Sequence, residues 1–376
     1  MRRLLLLLAT GVLGLSQEVH PTLKPGSPAP DFSLPGVDGK THSLSEYAGA
    51  KLLAIVFTCN HCPTAQLYEG RIQKLVLDYA AKGVTLVAIQ PNNPNALRVD
   101  EMVMSDMNDS LPEMKLRAEY RKFRFPYLYD GETQVVSEAY GPKATPHIFI
   151  FDSERKLRYE GRIDNNQREA LVTTHDARDA LDALLAGKTV AVNHTPVFGC
   201  STKWKSKEAS RLETLSKFES QPVTVQIATA ADLKTLRTNP TGKYLVVNFW
   251  ATWCAPCVKE FDDLQTTYRM YLTREFDLVT VSVNAPDEIA SVTKFLKEKH
   301  ATSRNLLFGS ADTYARQAAF DPKWESGVPY TMLIAPGGKV LYRQEGEVDL
   351  LELRRTILRN LKTDYPGFRD YWLAKP

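Results

Sequence analysis

The chain has 376 residues, 43% of them hydrophobic and 24% charged, with a formal net charge of +3. That length exceeds one ordinary core and suits two domains, and the composition is globular, with neither low complexity nor disorder. The small charge, without a long basic run, gives nucleic-acid or membrane-surface binding no compositional support.

Met1-Arg2-Arg3 and the apolar run from Leu4 to Leu15 read as the first two regions of a signal peptide. Gly14 and Ser16 supply small residues for a cut before Gln17. A membrane anchor is the alternative, but the run is shorter than the ~20 apolar residues that span a bilayer. No cysteine follows it to carry a lipid. Residues 1–16 therefore predict export, to the periplasm or another extracytoplasmic space, with no membrane span left after cleavage.

Five cysteines remain: Cys59, Cys62, Cys200, Cys254 and Cys257. They are too few for a disulfide-stapled scaffold, and four of them form two C-x-x-C pairs, a redox or metal arrangement. The apolar run Lys51–Thr58 predicts a buried strand leading into Cys59-Asn60-His61-Cys62. A helix over 65–81 and a strand over 84–90 follow. Thr145-Pro146 precedes a hairpin over 147–164, and a helix is expected over 168–186.

Residues 188–222 form the expected connecting segment. It holds Cys200 and a polar helix over 203–219, read as a linker with a solvated face. The same order of parts then returns. A strand over 244–250 leads to Trp253-Cys254-Ala255-Pro256-Cys257, a helix over 258–272 and a strand over 276–284. Val328-Pro329 precedes a hairpin, and a helix is expected over 350–361. Two units with one order of parts argue for duplication.

A C-x-x-C at a helix start sets its first sulfur against unsatisfied N–H groups and the positive end of the helix dipole, which favour thiolate. Cys254 is then the nucleophile that opens a substrate disulfide, and Cys257 resolves the mixed disulfide. Pro256 stiffens the turn, Trp253 is expected to pack beside the site and limit solvent access, and Val328-Pro329 offers backbone to an incoming peptide strand. Half of a zinc site is the alternative, but zinc needs four ligands and no neighbouring pair supplies the rest unless the domains meet.

Phe249-Trp250-Ala251-Thr252-Trp253-Cys254-Ala255-Pro256-Cys257-Val258-Lys259-Glu260 resembles the active-site segment of the TlpA/ResA group of exported thioredoxin-like proteins. The likeness implies a thioredoxin fold, no prosthetic group, and disulfide exchange with protein thiols and with a reductant or oxidant protein. Glu260 matches the acidic residue this group keeps beside its active site. Asn248 stands where thioredoxin has a buried aspartate, so the proton acceptor for Cys257 is expected to be Glu260 or water. Glu260 could equally be a first-turn surface residue favouring the helix dipole.

The first unit, from Gly26-Ser27-Pro28-Ala29-Pro30-Asp31-Phe32 through Cys62-Pro63, resembles a peroxiredoxin-like branch of the redoxin group, and Thr195–Trp204 fits that branch. The peroxidase pattern P-x-x-x-T/S-x-x-C is absent. Val56 and Leu52 occupy its positions before Cys59, and Cys59 itself takes the threonine position before Cys62. The expected fold class is α/β, two thioredoxin-like folds in tandem, each a central mixed sheet flanked by helices. The expected divisions are 1–16, 17–187, 188–222, 223–365 and a tail, 366–376.

For Cys59 and Cys62, His61 is expected to stabilise the Cys59 thiolate, making this pair more oxidising than Cys254–Cys257. Alternatively His61 is a turn residue without influence. A copper module built from Cys59, Cys62 and His147 is a further alternative, with His147 as an ordinary strand-end residue against it. Cys200 reads as a buried small residue, a resolving thiol, or a partner in intermolecular bonding. The leading function is thiol–disulfide exchange. Peroxide reduction and copper binding are alternatives.

Overall fold

The structure, a computed structural model, describes residues 20–374. The signal-peptide reading of 1–16 lies outside them.

The first unit opens with a small hairpin, β1 (Ser33–Pro35) and β2 (Thr41–Ser43). It continues through β3 (Leu52–Phe57), α1 (Pro63–Tyr79), β4 (Val84–Gln90), α2 (Leu111–Arg121), β5 (Tyr127–Tyr129) and α3 (Val135–Tyr140). Then come β6 (Ala144–Thr145), β7 (His147–Phe151), β8 (Leu157–Gly161) and α4 (Asp176–Leu185). The main sheet runs β5-β4-β3-β7-β8, in which β7 alone runs antiparallel to the other four strands. All of β3 is buried, as befits a central strand covered on both faces. Its alternate residues feed two cores: Leu52, Ala54 and Val56 meet α1 and α4, whereas Leu53, Ile55 and Phe57 meet Phe32, Leu34 and Tyr140.

The chain returns to this unit at β9 (Cys200–Ser201), then crosses along α5 (Glu208–Glu219), which buries no residue. The second unit contains β10 (Val225–Ala228), α6 (Ala230–Thr238), β11 (Tyr244–Trp250), α7 (Ala255–Tyr271) and β12 (Phe276–Ser282). It goes on through α8 (Ile289–Glu298), β13 (Arg304–Phe308), α9 (Thr313–Phe320), β14 (Tyr330–Ile334), β15 (Val340–Glu345) and α10 (Leu350–Asn360). Its sheet runs β10-β13-β12-β11-β14-β15.

The helix expected over 168–186 is shorter at its start. Arg71 binds the Asn166 and Gln167 carbonyls, and the Thr173 and Thr174 N–H groups donate to the Asn165 side chain. Those backbone groups are therefore committed to a turn, and α4 begins only at Asp176.

The two units share a core. Leu97 and Met102 of the first pack in one cluster with Leu264 and Met270 of α7 and Leu353 of α10. The Asp106 carboxylate accepts from Arg117 at 2.6 Å and from Arg355 of α10 at 2.9 Å. The segment after α10 packs back on the first unit through α11 (Phe368–Leu373), where the Tyr371 hydroxyl donates to Glu69 at 2.8 Å.

Candidate active sites

β11 ends at Trp250, and a three-residue turn carries the chain to Cys254, the N-cap of α7. The Cys257 N–H donates to the Cys254 sulfur at 3.3 Å, satisfying one of the orphan donors of the first turn. Cys254 and Cys257 are joined as a disulfide. Facing them, Val328-Pro329 is cis, and the Val328 carbonyl oxygen lies 3.5 Å from Cys254 Sγ.

Glu260 is buried one turn further along α7. It accepts from the Val348 N–H at 2.9 Å and from the Asn248 amide at 3.0 Å. Burial outweighs both bonds and lifts its carboxyl to about 7. Asn248 also donates to Thr331 Oγ1 at 3.0 Å, which occupies both N–H groups of its amide. Glu260 is thus an inward-facing acid rather than a surface first-turn residue.

Trp253 departs from expectation, because it is 65% exposed. The buried ring is Trp250, which ends the strand inside the core and packs on Phe261 and Phe295. Trp253 lies in the turn outside that core, and Pro256 beside it is also exposed.

The first unit does not repeat this arrangement in the register that the two C-x-x-C pairs suggest. Phe57 pairs with His147, directly after cis Pro146, and Phe249 pairs with Tyr330, directly after cis Pro329. Counting onward equally from each phenylalanine reaches Cys62 and Cys254. Cys62, not Cys59, caps its helix, with Pro63 as the first helical residue. The Ala65 N–H donates to Cys62 Sγ at 3.5 Å, and the Thr145 carbonyl oxygen lies 3.3 Å from that sulfur. Ala65 therefore stands where Cys257 stands, and Cys59 matches Ala251. The signal was present in the sequence: proline is favoured at the first helical position, and Pro63 directly follows Cys62.

This register reverses the expected roles. Burial raises the Cys59 thiol well above its ordinary value, reinforced by hydrogen bonding with Cys62 and by the charge of Asp109. Burial also opposes charge on Cys62. There, hydrogen bonds from Cys200 and Cys59, the charge of His61 and the Ala65 N–H win, and the thiol falls well below its ordinary value. His61 thus acts on its neighbour Cys62 rather than producing a Cys59 thiolate.

His61 is held by Asp109, whose Oδ2 lies 2.5 Å from Nδ1 and whose Oδ1 accepts the Asn60 and His61 N–H groups. Burial works against the imidazolium, but the Asp109 carboxylate prevails and raises the His61 pKa. Cys59, His61 and Asp109 bring possible ligand atoms within 4.8 Å of one another. His147 is outside that group. Its Nε2 lies 2.8 Å from Glu160, and its Nδ1 accepts the Lys143 N–H at 3.4 Å, so both nitrogens are spent and the Cys59–Cys62–His147 copper set does not assemble.

Cys200 is part of this site. Its N–H donates to Cys62 Sγ at 3.2 Å, and β9 pairs antiparallel with β6, Cys200 opposite Thr145. Sequence reading recognised the thiol but placed it in a connecting segment.

Two family descriptions match the chain. AhpC/TSA family covers residues 25–160 and Redoxin covers residues 216–355. The chain carries an AhpC/TSA-type domain followed by a redoxin domain. It is similar to Thiol-disulfide oxidoreductase ResA of Bacillus subtilis (strain 168), 34% identical over 27% of this chain and 51% of that protein. The ResA of Geobacillus thermodenitrificans (strain NG80-2) is 27% identical over 42% of this chain and 83% of that protein. A solved structure of a hypothetical protein from Sinorhizobium meliloti 1021 is 33% identical over 50% of this chain and 97% of that one, with a TM-score of 0.44. The chain spans about half the length of the Bacillus subtilis relative.

Proposed function

We propose that this tandem redoxin is an exported thiol–disulfide oxidoreductase that exchanges disulfides with partner proteins through Cys254 and Cys257, without a prosthetic group. The observation that carries this reading is the Cys254–Cys257 disulfide at the start of α7, facing the Val328 carbonyl. Relatives named thiol–disulfide oxidoreductases support it. Residues 1–16 support export, and no helix among the described residues is long and apolar enough to cross a membrane.

In the reduced chain the Cys254 thiolate, favoured by the first-turn N–H groups, attacks a partner disulfide and releases one partner thiolate. Cys257 loses its proton, with Glu260 as acceptor, and attacks Cys254 Sγ. The second partner thiolate leaves, and the Cys254–Cys257 disulfide closes. Two electrons pass to the partner. The steps reverse when a partner dithiol is oxidised.

The test is a redox titration of full-length chain with insulin as disulfide substrate. Wild type is expected to form a reversible Cys254–Cys257 disulfide and to reduce insulin, and Cys254→Ser to lose that turnover. An unchanged rate in Cys254→Ser would sink the proposal. Peroxide reduction is a second reading, favoured by the AhpC/TSA match and by Cys62 as a helix-capping thiol. Rapid thiol loss from reduced Cys254→Ser on addition of hydrogen peroxide, abolished by Cys62→Ser, is its expected signature.

A further inference from the structure

We propose that the working disulfide of the first domain joins Cys62 to Cys200, with β9 as a built-in strand that occupies the substrate groove of its own site. This rests on reading the chain as a thiol-exchange protein, and it reassigns the pair that the C-x-x-C spacing implies.

The groove is identified by comparing the two domains. In each, the residue before the cis-proline turns its carbonyl toward the helix-capping cysteine. An extended peptide recognised by a thiol-exchange site can pair with such a backbone, adding one strand. In the second domain no described strand pairs with Gly327 or Val328. In the first domain that place is taken: Ala144 pairs with Ser201 and Thr145 with Cys200. The pairing puts the Cys200 N–H on Cys62 Sγ, and the Cys200 side chain packs on Cys59, Cys62 and Ala65.

The strand is fixed rather than casually placed. Gly199 has φ of 138°, and a Cβ there would lie 2.0 Å from the Thr145 carbonyl oxygen, so only glycine allows this approach. On the far side, the Thr202 hydroxyl donates to the Pro142 carbonyl at 2.6 Å and the Lys203 N–H to Asn92 at 2.8 Å. Cys59 has no comparable helix-end position, because it matches Ala251. Ala65 occupies the place of a resolving cysteine on α1.

Exposure orders the chemistry. Cys59 and Cys62 are buried, whereas Cys200 is partly exposed. When the Cys62–Cys200 disulfide meets a partner dithiol, one partner thiolate attacks Cys200 Sγ. The S–S bond breaks, and Cys62 leaves as the thiolate held by the Ala65 and Cys200 N–H groups. The second partner thiol, deprotonated to solvent, attacks the mixed disulfide and expels Cys200, which takes up a proton. The partner dithiol becomes a disulfide, two electrons enter the Cys62–Cys200 pair, and one net proton is released. Oxidation by a partner disulfide runs the reverse course.

Disulfide mapping of the full chain, poised in a series of reduced and oxidised glutathione mixtures, tests this directly. Trypsin leaves Cys59 and Cys62 on fragment 52–71, Cys200 on 189–203, and Cys254 with Cys257 on 244–259. The expected oxidised product links 52–71 to 189–203. The link should persist in Cys59→Ser and disappear in Cys62→Ser and Cys200→Ser. A disulfide confined to fragment 52–71 in wild type would overturn the proposal. So would a link that survives Cys62→Ser, or three thiols that stay reduced while 244–259 oxidises. Fragment 244–259 reports the second site separately, so failure of the proposed function is read independently.

Discussion

Cys62 and Cys254 hold one position in two folds. Each caps the helix that leaves the central strand, and their sulfurs lie 3.3 and 3.5 Å from the carbonyl oxygen preceding a cis-proline. What differs is the neighbour. Cys254 has Cys257 one turn along its helix, whereas Cys62 has Ala65 there and Cys200 from a distant strand. The reduced first site is therefore expected to hold its thiolate on Cys62. In a Cys254→Ser, Cys257→Ser background, thiolate absorbance near neutral pH should be lost in Cys62→Ser and retained in Cys59→Ser. Loss in Cys59→Ser alone would contradict the structural register.

The same thiolate bears on redox poise. A stabilised thiolate favours the reduced form, which makes the disulfide a better oxidant. The first site is expected to be reduced at a less negative potential than Cys254–Cys257. Titration against glutathione and dithiothreitol buffers, read fragment by fragment, compares the two. A first-site disulfide harder to reduce than the second would contradict it.

The strands on either side of each cysteine pair were legible because buried parallel strands write themselves as unbroken apolar runs, and β4 and β11 match their expected bounds, whereas α2, β5, α8 and β13 were among the elements not expected. The cysteine register was not legible, because matching the two C-x-x-C spacings outweighed Pro63, the residue that marks where α1 begins. The partners of Cys62 were hidden for a different reason. Asp109 and Cys200 lie far from it along the chain, and only the pairing of β6 with β9 brings Cys200 alongside. Glu260 was legible by its spacing from Cys257, but its burial against Val348 was not.

Glu260 makes stability and activity depend on pH. Its carboxyl rises from 4.5 to about 7 on folding, so between those values the native chain binds more protons than the unfolded one. Stability is present below the lower value and declines as pH rises toward the upper, by at most about 3 kcal/mol. Glu260→Gln cannot ionise and should flatten this part of a pH-dependent denaturation curve, at the cost of one hydrogen bond to Val348 or Asn248. As the proposed acceptor for the Cys257 proton, Glu260 should also shape turnover. The variant is expected to lose roughly a hundredfold in insulin reduction near neutral pH, the lower end for a positioned general base. An unaltered pH–rate profile would leave Glu260 structural only.

Trp253 is a large ring left in solvent beside the disulfide. Tryptophan at such a place is a common anchor of protein interfaces, worth about 2 kcal/mol or more. Trp253→Ala is expected to raise KM for a protein disulfide roughly tenfold or more while leaving reduction by dithiothreitol nearly unchanged. Equal losses with both reductants would instead assign Trp253 to the geometry of the disulfide.

Asp106 ties the two domains together. It is buried, and its carboxylate receives Arg117 from the first domain and Arg355 from the second, while its own carbonyl accepts from Arg354 at 3.2 Å. Replacing the carboxylate with a methyl group leaves the nearly buried Arg355 without its counter-ion and Arg117 with only Glu69, at 3.8 Å, and such a loss costs about 3–5 kcal/mol. Asp106→Ala is expected to lower the stability of the full chain by that amount in urea. The Cys254–Cys257 potential should stay unchanged, because no part of that site touches Asp106. The shared cluster around Leu97 and Met102 spans the same junction, so its apolar packing should keep the domains joined in the variant. Separate unfolding transitions for the two domains would show instead that the Asp106 pairs supply most of their coupling.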